Sequence, residues 1–369
     1  MFDFSSFLSN KAFITEDHHV YTYADLLGLS ERFSEHLVPR SLIFIGCENS
    51  LESIVAYVSC LRSGVVPLLL SRDVPDETLY HLEAIYHPRY CWFPSRRDLL
   101  VKGKEKYSLG GYSLIQYDGD SPVLPEGLAL LLTTSGSTGS PKLVRLSHDN
   151  LKSNACSIIE YLKITSSEKA ITSLPMYYSY GLSVLNSHLL AGATLLLTDK
   201  SYVQREFWKF VLEEKATSFA GVPFTYEILK KMRFEKFLPS SVKVMTQAGG
   251  KLNSSLIKYF SEYARLHDIR FYVMYGQTEA TARMSYLPAE YTLNKVGSVG
   301  VAIPGGHFSL IDEDGMRIVS PNVEGELVYE GSNVFWGYAE SLDDLFKGDE
   351  NKGILYTGDL AYVDSEGFY

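Results

Sequence analysis

The chain has 369 residues, 46% of them apolar and 21% charged, with 44 acidic against 34 basic side chains and a net charge of −10. This is the profile of a globular protein with a sizeable core, and without a basic stripe it makes nucleic acid and anionic membrane surfaces poor candidate partners. The four cysteines, Cys47, Cys60, Cys91 and Cys156, form no Cys-x-x-Cys pair, which argues against a disulfide framework or a zinc site and fits a reducing cytoplasm. No apolar run is long enough to span a bilayer, and the N-terminus, starting Met1-Phe-Asp-Phe-Ser5, has no signal-peptide pattern.

In chain order, Leu26, Leu29, Phe33 and Leu37 recur at helical spacing over residues 22–37, with Thr22 as N-cap. A strand over 42–45, a helix from Ser50 to Arg62 closed by Gly64, and a strand over 65–70 follow. Strand, capped helix and apolar strand make a βαβ crossover, so the pattern predicts parallel sheet. The rhythm returns with a helix over 203–214, strands over 218–222 and 242–246, a helix over 253–266 and a strand over 269–274. After about residue 285 the segments shorten between turns such as Pro304-Gly-Gly and Asp312-Glu-Asp-Gly. This predicts an α/β core over 1–285 and a β-rich, barrel-like or meandering part over 286–369.

The most informative segment runs from an apolar strand, residues 128–132, into Thr134, Ser135, Gly136, Ser137, Thr138, Gly139, Ser140, Pro141 and Lys142, then into a second strand. Glycines let backbone N–H groups approach an anion, hydroxyls add donors, and Lys142 supplies charge. It is no Walker A loop, because Ser-Pro separates Gly139 from Lys142 and no helix follows directly. A plain hairpin loop of small residues is the alternative.

This segment resembles the phosphate-loop signature of the adenylate-forming superfamily, which includes acyl-CoA synthetases, adenylation domains of nonribosomal peptide synthetases, and firefly luciferase. Further family-like motifs occur in order. Tyr275-Gly276-Gln277-Thr278-Glu279 stands where a strand is predicted to end. The resemblance implies that Tyr275 packs on adenine, Thr278 contacts the α-phosphate and Glu279 holds Mg²⁺, roles that suit an aromatic face, a hydroxyl and a hard carboxylate. Tyr356-Thr-Gly-Asp359 matches the ribose site, where Asp359 would accept from both hydroxyls; alone, Gly358-Asp359 reads as a β-turn. Ala248-Gly249-Gly250-Lys251-Leu252 resembles the loop between adenine and acyl pocket, and is also a sound strand-to-helix turn capped by Asn253. Gly297-Ser-Val-Gly300, Gly325-Glu-Leu327 and Gly337-Tyr338 match family scaffold, with glycines expected at tight turns.

Pro175-Met-Tyr-Tyr178-Ser179-Tyr180-Gly181 resembles the family's Pro-x-x-His-x-x-Gly segment beside the acid substrate, with Tyr178 in place of His. The acyl pocket is expected from Tyr178, Ser179, Tyr180, Val222, Ala248 and Gly249. Amino-acid-activating relatives carry Asp where this chain has Ser179. A buried ammonium without that counter-charge costs several kcal/mol, so the expected substrate is a carboxylic acid lacking an α-amino group. The implied reaction is attack of that acid on the α-phosphate of Mg·ATP, with Lys142 and the loop amides facing the β- and γ-phosphates. The family's C-terminal lid domain, which brings CoA or a carrier-protein thiol to the acyl-AMP, is expected to be absent. A second reading is a module that holds ATP or acyl-AMP without efficient turnover. The nine histidines form no metal-binding cluster, and His148 is expected at a helix start.

Overall fold

The computed structural model describes residues 1–95, 103–133 and 142–369. Among these residues the strands form sheets of nine, eight and four strands.

The nine-stranded sheet has a parallel centre: Lys11–Thr15, Thr194–Leu197, Lys169–Ile171, Ser218–Gly221, Val244–Gln247 and Arg270–Tyr275 lie side by side in that order. The eight-stranded sheet has Tyr90–Pro94, Leu42–Cys47, Val66–Ser71 and Leu128–Thr133 parallel, with Leu143–Ser147 returning antiparallel. Successive strand residues serve different cores. Phe13, Leu195 and Leu197 join one cluster, while Ile14 and Leu196 join another on the opposite face. Strands buried on both faces read as continuous apolar runs, as residues 42–45 and 128–132 do.

The helices Tyr23–Ser34, Leu51–Ser63, His148–Leu162 and Ser179–Leu190 fill the space between the two large sheets. Arg205–Glu213, Pro223–Met232 and Ser254–Leu266 cover the outer face of the nine-stranded sheet. Caps fix where helices begin. The hydroxyls of Thr22, Ser50 and Ser147 accept the N–H three residues on, and Thr22 and Ser147 complete capping boxes with Asp25 and Asn150. Gly64 ends the second helix at φ 70°. His148 is the first residue of its helix, as expected.

In the β-rich part, Arg317–Ile318, Gly306–Ile311, Gly325–Gly331 and Ile354–Ala361 form the four-stranded antiparallel sheet. Two further strands leave it: Val301–Ala302 pairs into the nine-stranded sheet through Ser285–Leu287, and Gly337–Ala339 pairs with Leu143–Ser147. Gly325 and Gly337, expected at tight turns, open strands instead.

Candidate functional site

Parallel strands place their carboxyl ends on one edge, where ligands of open α/β sheets bind. Arg270–Tyr275 ends there, and the chain reverses through Gly276, Gln277 and the single 3-10 turn Thr278–Ala280 into Ser285–Leu287. Glycine is required at 276, because an added Cβ would lie 1.9 Å from the Ala282 carbonyl oxygen. Asp359, on the strand Ile354–Ala361, comes to this turn from the four-stranded sheet. The Tyr275 hydroxyl donates to Asp359 Oδ2 at 2.5 Å, and Gln277 Nε2 donates to the same oxygen at 3.2 Å and to the Thr357 carbonyl at 3.0 Å. Burial and the facing carboxylate raise the Tyr275 pKa, so it remains a donor at neutral pH.

Thr278 faces the helix Ser179–Leu190, and its Oγ1 lies 3.0 Å from Ser179 Oγ. Tyr178 is the N-cap residue of that helix. Gly249 has φ +80°, and a Cβ there would lie 2.3 Å from the Tyr178 hydroxyl and 3.2 Å from Val222 Cγ1. Tyr178, Val222 and Gly249 therefore meet, beside Ala248, which is buried at the end of Val244–Gln247. Gly250 packs on Pro223. Tyr180 departs from the expected pocket surface. It is 3% exposed, its hydroxyl bonds Thr246 Oγ1 at 2.8 Å, and the Arg283 guanidinium carbon stands 4.5 Å from its ring centroid. It supports the wall from behind, because the residue after Ser179 on a helix turns to a different face.

Glu279 is half-buried, and its Oε1 accepts a hydrogen bond from the Tyr338 hydroxyl at 2.6 Å. Desolvation, then the Glu279 carboxylate, raise the Tyr338 pKa. Lys142 Nζ stands 5.6 Å from the Tyr338 ring centroid and pairs with Glu340 Oε1 at 2.8 Å. Both charges of that pair are more than half exposed, so the pair is weak. Thr134, Ser135, Gly136, Ser137, Thr138 and Gly139 lie outside the described residues. Sequence reasoning read Tyr338 as scaffold and passed over Glu340. Nothing local marks a residue that reaches a motif 59 positions away.

The model of the AMP-binding enzyme family matches residues 6–339. A 2-succinylbenzoate–CoA ligase of Bacillus cereus is 32% identical over 382 aligned positions, which take in 98% of this chain and 76% of the relative. Among solved structures, o-succinylbenzoate CoA synthetase (MenE) of Bacillus subtilis in complex with ATP and magnesium ion superposes with a TM-score of 0.75 at 25% identity, covering 97% of this chain and 75% of that one. The inhibitor-bound N-terminal domain of FACL13 from Mycobacterium tuberculosis has the same fold, with a TM-score of 0.82 at 18% identity, covering 99% of this chain and 96% of that domain. The α/β layering, the ordered motifs and these matches agree: the chain belongs to the AMP-binding enzyme family of the adenylate-forming superfamily.

Proposed function

We propose that this chain uses Mg·ATP to convert a carboxylic acid without an α-amino group into acyl-AMP, as the first half-reaction of an acyl-CoA ligase. The contact of Ser179 with Thr278, at 3.0 Å, carries the reading. It sets the expected acid pocket directly against the expected α-phosphate residue, with a hydroxyl where an ammonium would need a carboxylate.

In this reading a carboxylate oxygen of the acid forms a bond to the α-phosphorus, the bond from that phosphorus to the β-bridging oxygen breaks, and pyrophosphate leaves with the electron pair. Positioning and charge neutralisation are what the protein contributes. Tyr275 offers its face to adenine, and Asp359 exchanges its bond from Tyr275 for the ribose hydroxyls. Gly249 and Gly250 let the backbone pass close to the nucleotide. Thr278 donates to the α-phosphate. Lys142, released from Glu340, joins residues 134–139 around the outer phosphates. Glu279 fits a magnesium ion, as a half-exposed hard-oxygen donor held in orientation by Tyr338; Mg²⁺ supplies phosphate charge neutralisation when bound. CoA as thiol acceptor follows from the B. cereus relative.

The experiment is acid-dependent ATP–pyrophosphate exchange across matched pairs of acids with and without an α-amino group. Exchange confined to the unsubstituted acids is expected. Comparable rates with an α-amino acid would remove the argument from Ser179.

A further inference from the structure

Asp359 is an exposed carboxylate on the edge strand of the four-stranded sheet, where little fixes the aim of a side chain. The register of Ile354–Ala361 with Gly325–Gly331 slips between Glu326 and Val328. Tyr356 pairs with Val328 and Leu360 with Glu326, so Thr357, Gly358 and Asp359 bulge out of the ladder, with Gly358 at φ +72°. A bulge re-aims a side chain and gives up the ladder bonds that would steady it. Thr357 supplies part of what is lost: its hydroxyl donates to the Leu327 carbonyl at 2.7 Å and accepts the Asp359 N–H at 3.1 Å.

Gln277 supplies the rest. Its Nε2 carries two hydrogens and has two acceptors on the bulge, the Thr357 carbonyl at 3.0 Å and Asp359 Oδ2 at 3.2 Å. The Tyr275 hydroxyl is farther from it, at 3.4 Å. One amide thus grips both the backbone and the carboxylate of the bulge, and ties them to the turn that carries Thr278 and Glu279. The Tyr275 hydroxyl is the other donor to Oδ2, and among the described residues no donor reaches Oδ1. When Asp359 exchanges the Tyr275 bond for ribose, the bonds from Gln277 can stay. A carboxylate has lone pairs enough for this amide and two hydroxyls together.

We propose that Gln277 is a positioning residue that acts through Asp359, holding the carboxylate on the ribose and so setting the preference for a nucleotide with both ribose hydroxyls. The proposal rests on the placement of Asp359 at the ribose. Without the amide the ligand itself must order the carboxylate, and that cost is drawn from binding.

The test measures, by calorimetry, the binding of AMP and of 2′,3′-dideoxy-AMP, which lacks both hydroxyls, to the wild-type chain, Gln277→Met and Gln277→Glu. Wild type should prefer AMP at least about tenfold. Gln277→Met has similar length and no donor, and should lower the ratio to about threefold or less while binding dideoxy-AMP as wild type does. Gln277→Glu sets a second carboxylate against Asp359, should lower the ratio in the same way, and serves alone if the Met variant does not fold. A wild-type ratio in the variants overturns the proposal and leaves Asp359 at the ribose. Equal weakening of both ligands overturns it too, since a residue acting through Asp359 does not touch dideoxy-AMP binding. Equal binding of the two ligands by wild type removes the ribose placement and the proposal together.

Discussion

Gly249→Ala separates backbone strain from obstruction of the acid site. The new methyl would stand 2.3 Å from the Tyr178 hydroxyl, at least 0.7 Å closer than real Cβ contacts allow, while the Tyr178 Cζ is at 3.5 Å, an ordinary contact. The hydroxyl must therefore move, and a misplacement approaching 1 Å at a substrate-positioning group costs up to about 100-fold in rate. Alanine at φ +80° adds a strain of roughly 1–2 kcal/mol whatever Tyr178 does. In ATP–pyrophosphate exchange the variant should raise the KM for the acid about tenfold or more, and in thermal melting it should unfold at lower temperature. Gly249→Ala with Tyr178→Phe removes the colliding oxygen and leaves the ring at its ordinary distance. The double variant should recover most of the KM while keeping the lowered melting point. An unchanged acid KM in the single variant, or no recovery in the double, would refute the placement of Tyr178 and Gly249 at the acid.

Asp359→Ala should abolish the thermal shift given by AMP, which at about a hundred times Kd amounts to roughly 2.7 kcal/mol of stabilisation in the parent chain; a full shift in the variant would refute its place at the ribose. Glu279→Gln should lower the exchange rate about 100-fold or more while leaving AMP binding, read by the same melt, near wild type; equal activity would refute the metal assignment. His188 predicts an acid limb of stability. Its folded pKa, depressed by burial to about 4, lies below the unfolded value near 6.5, so the unfolded chain binds the extra proton first. Its contribution is complete above pH 6.5 and is lost as pH falls towards 4, by roughly 3 kcal/mol. Denaturation at pH 7.5, 6 and 5 with wild type and His188→Gln should show a shallower slope in the variant, and identical slopes would refute the assignment.

The parts of the fold that could be read from the sequence are those whose causes are local. Ser50 and Gly64 bracket a helix because a hydroxyl cap and a left-handed glycine act within one turn. The parallel centre follows from alternating capped helices and doubly buried strands. The strands Val301–Ala302 and Gly337–Ala339 were not legible, because two or three residues carry no period and their partners lie far along the chain. At the site, the motif residues from Tyr275 to Glu279 could be read from residue type and order. Tyr338 and Arg283 could not. The position of Arg283, four residues past Glu279 in a run of apolar and hydroxyl residues, was the available sign that a charge was being buried. Tyr180 was assigned to the pocket surface from its neighbours in sequence, and helical rotation carried it into the core.

The pairing of Gly337–Ala339 with Leu143–Ser147 sets a timetable for synthesis. The strand Leu143–Ser147 becomes an interior strand only when a segment about 190 positions later is made, as the Arg145 bonds to Tyr338 and Trp336 record. At ribosomal speeds of about 5–20 residues per second, the edge of the eight-stranded sheet stands open for roughly 10–40 s. During that interval Leu143, Val144 and Leu146 present an apolar edge to any other nascent strand. The eight-stranded sheet is thus translated early and finished late, and its safe passage depends on how quickly a three-residue strand arrives.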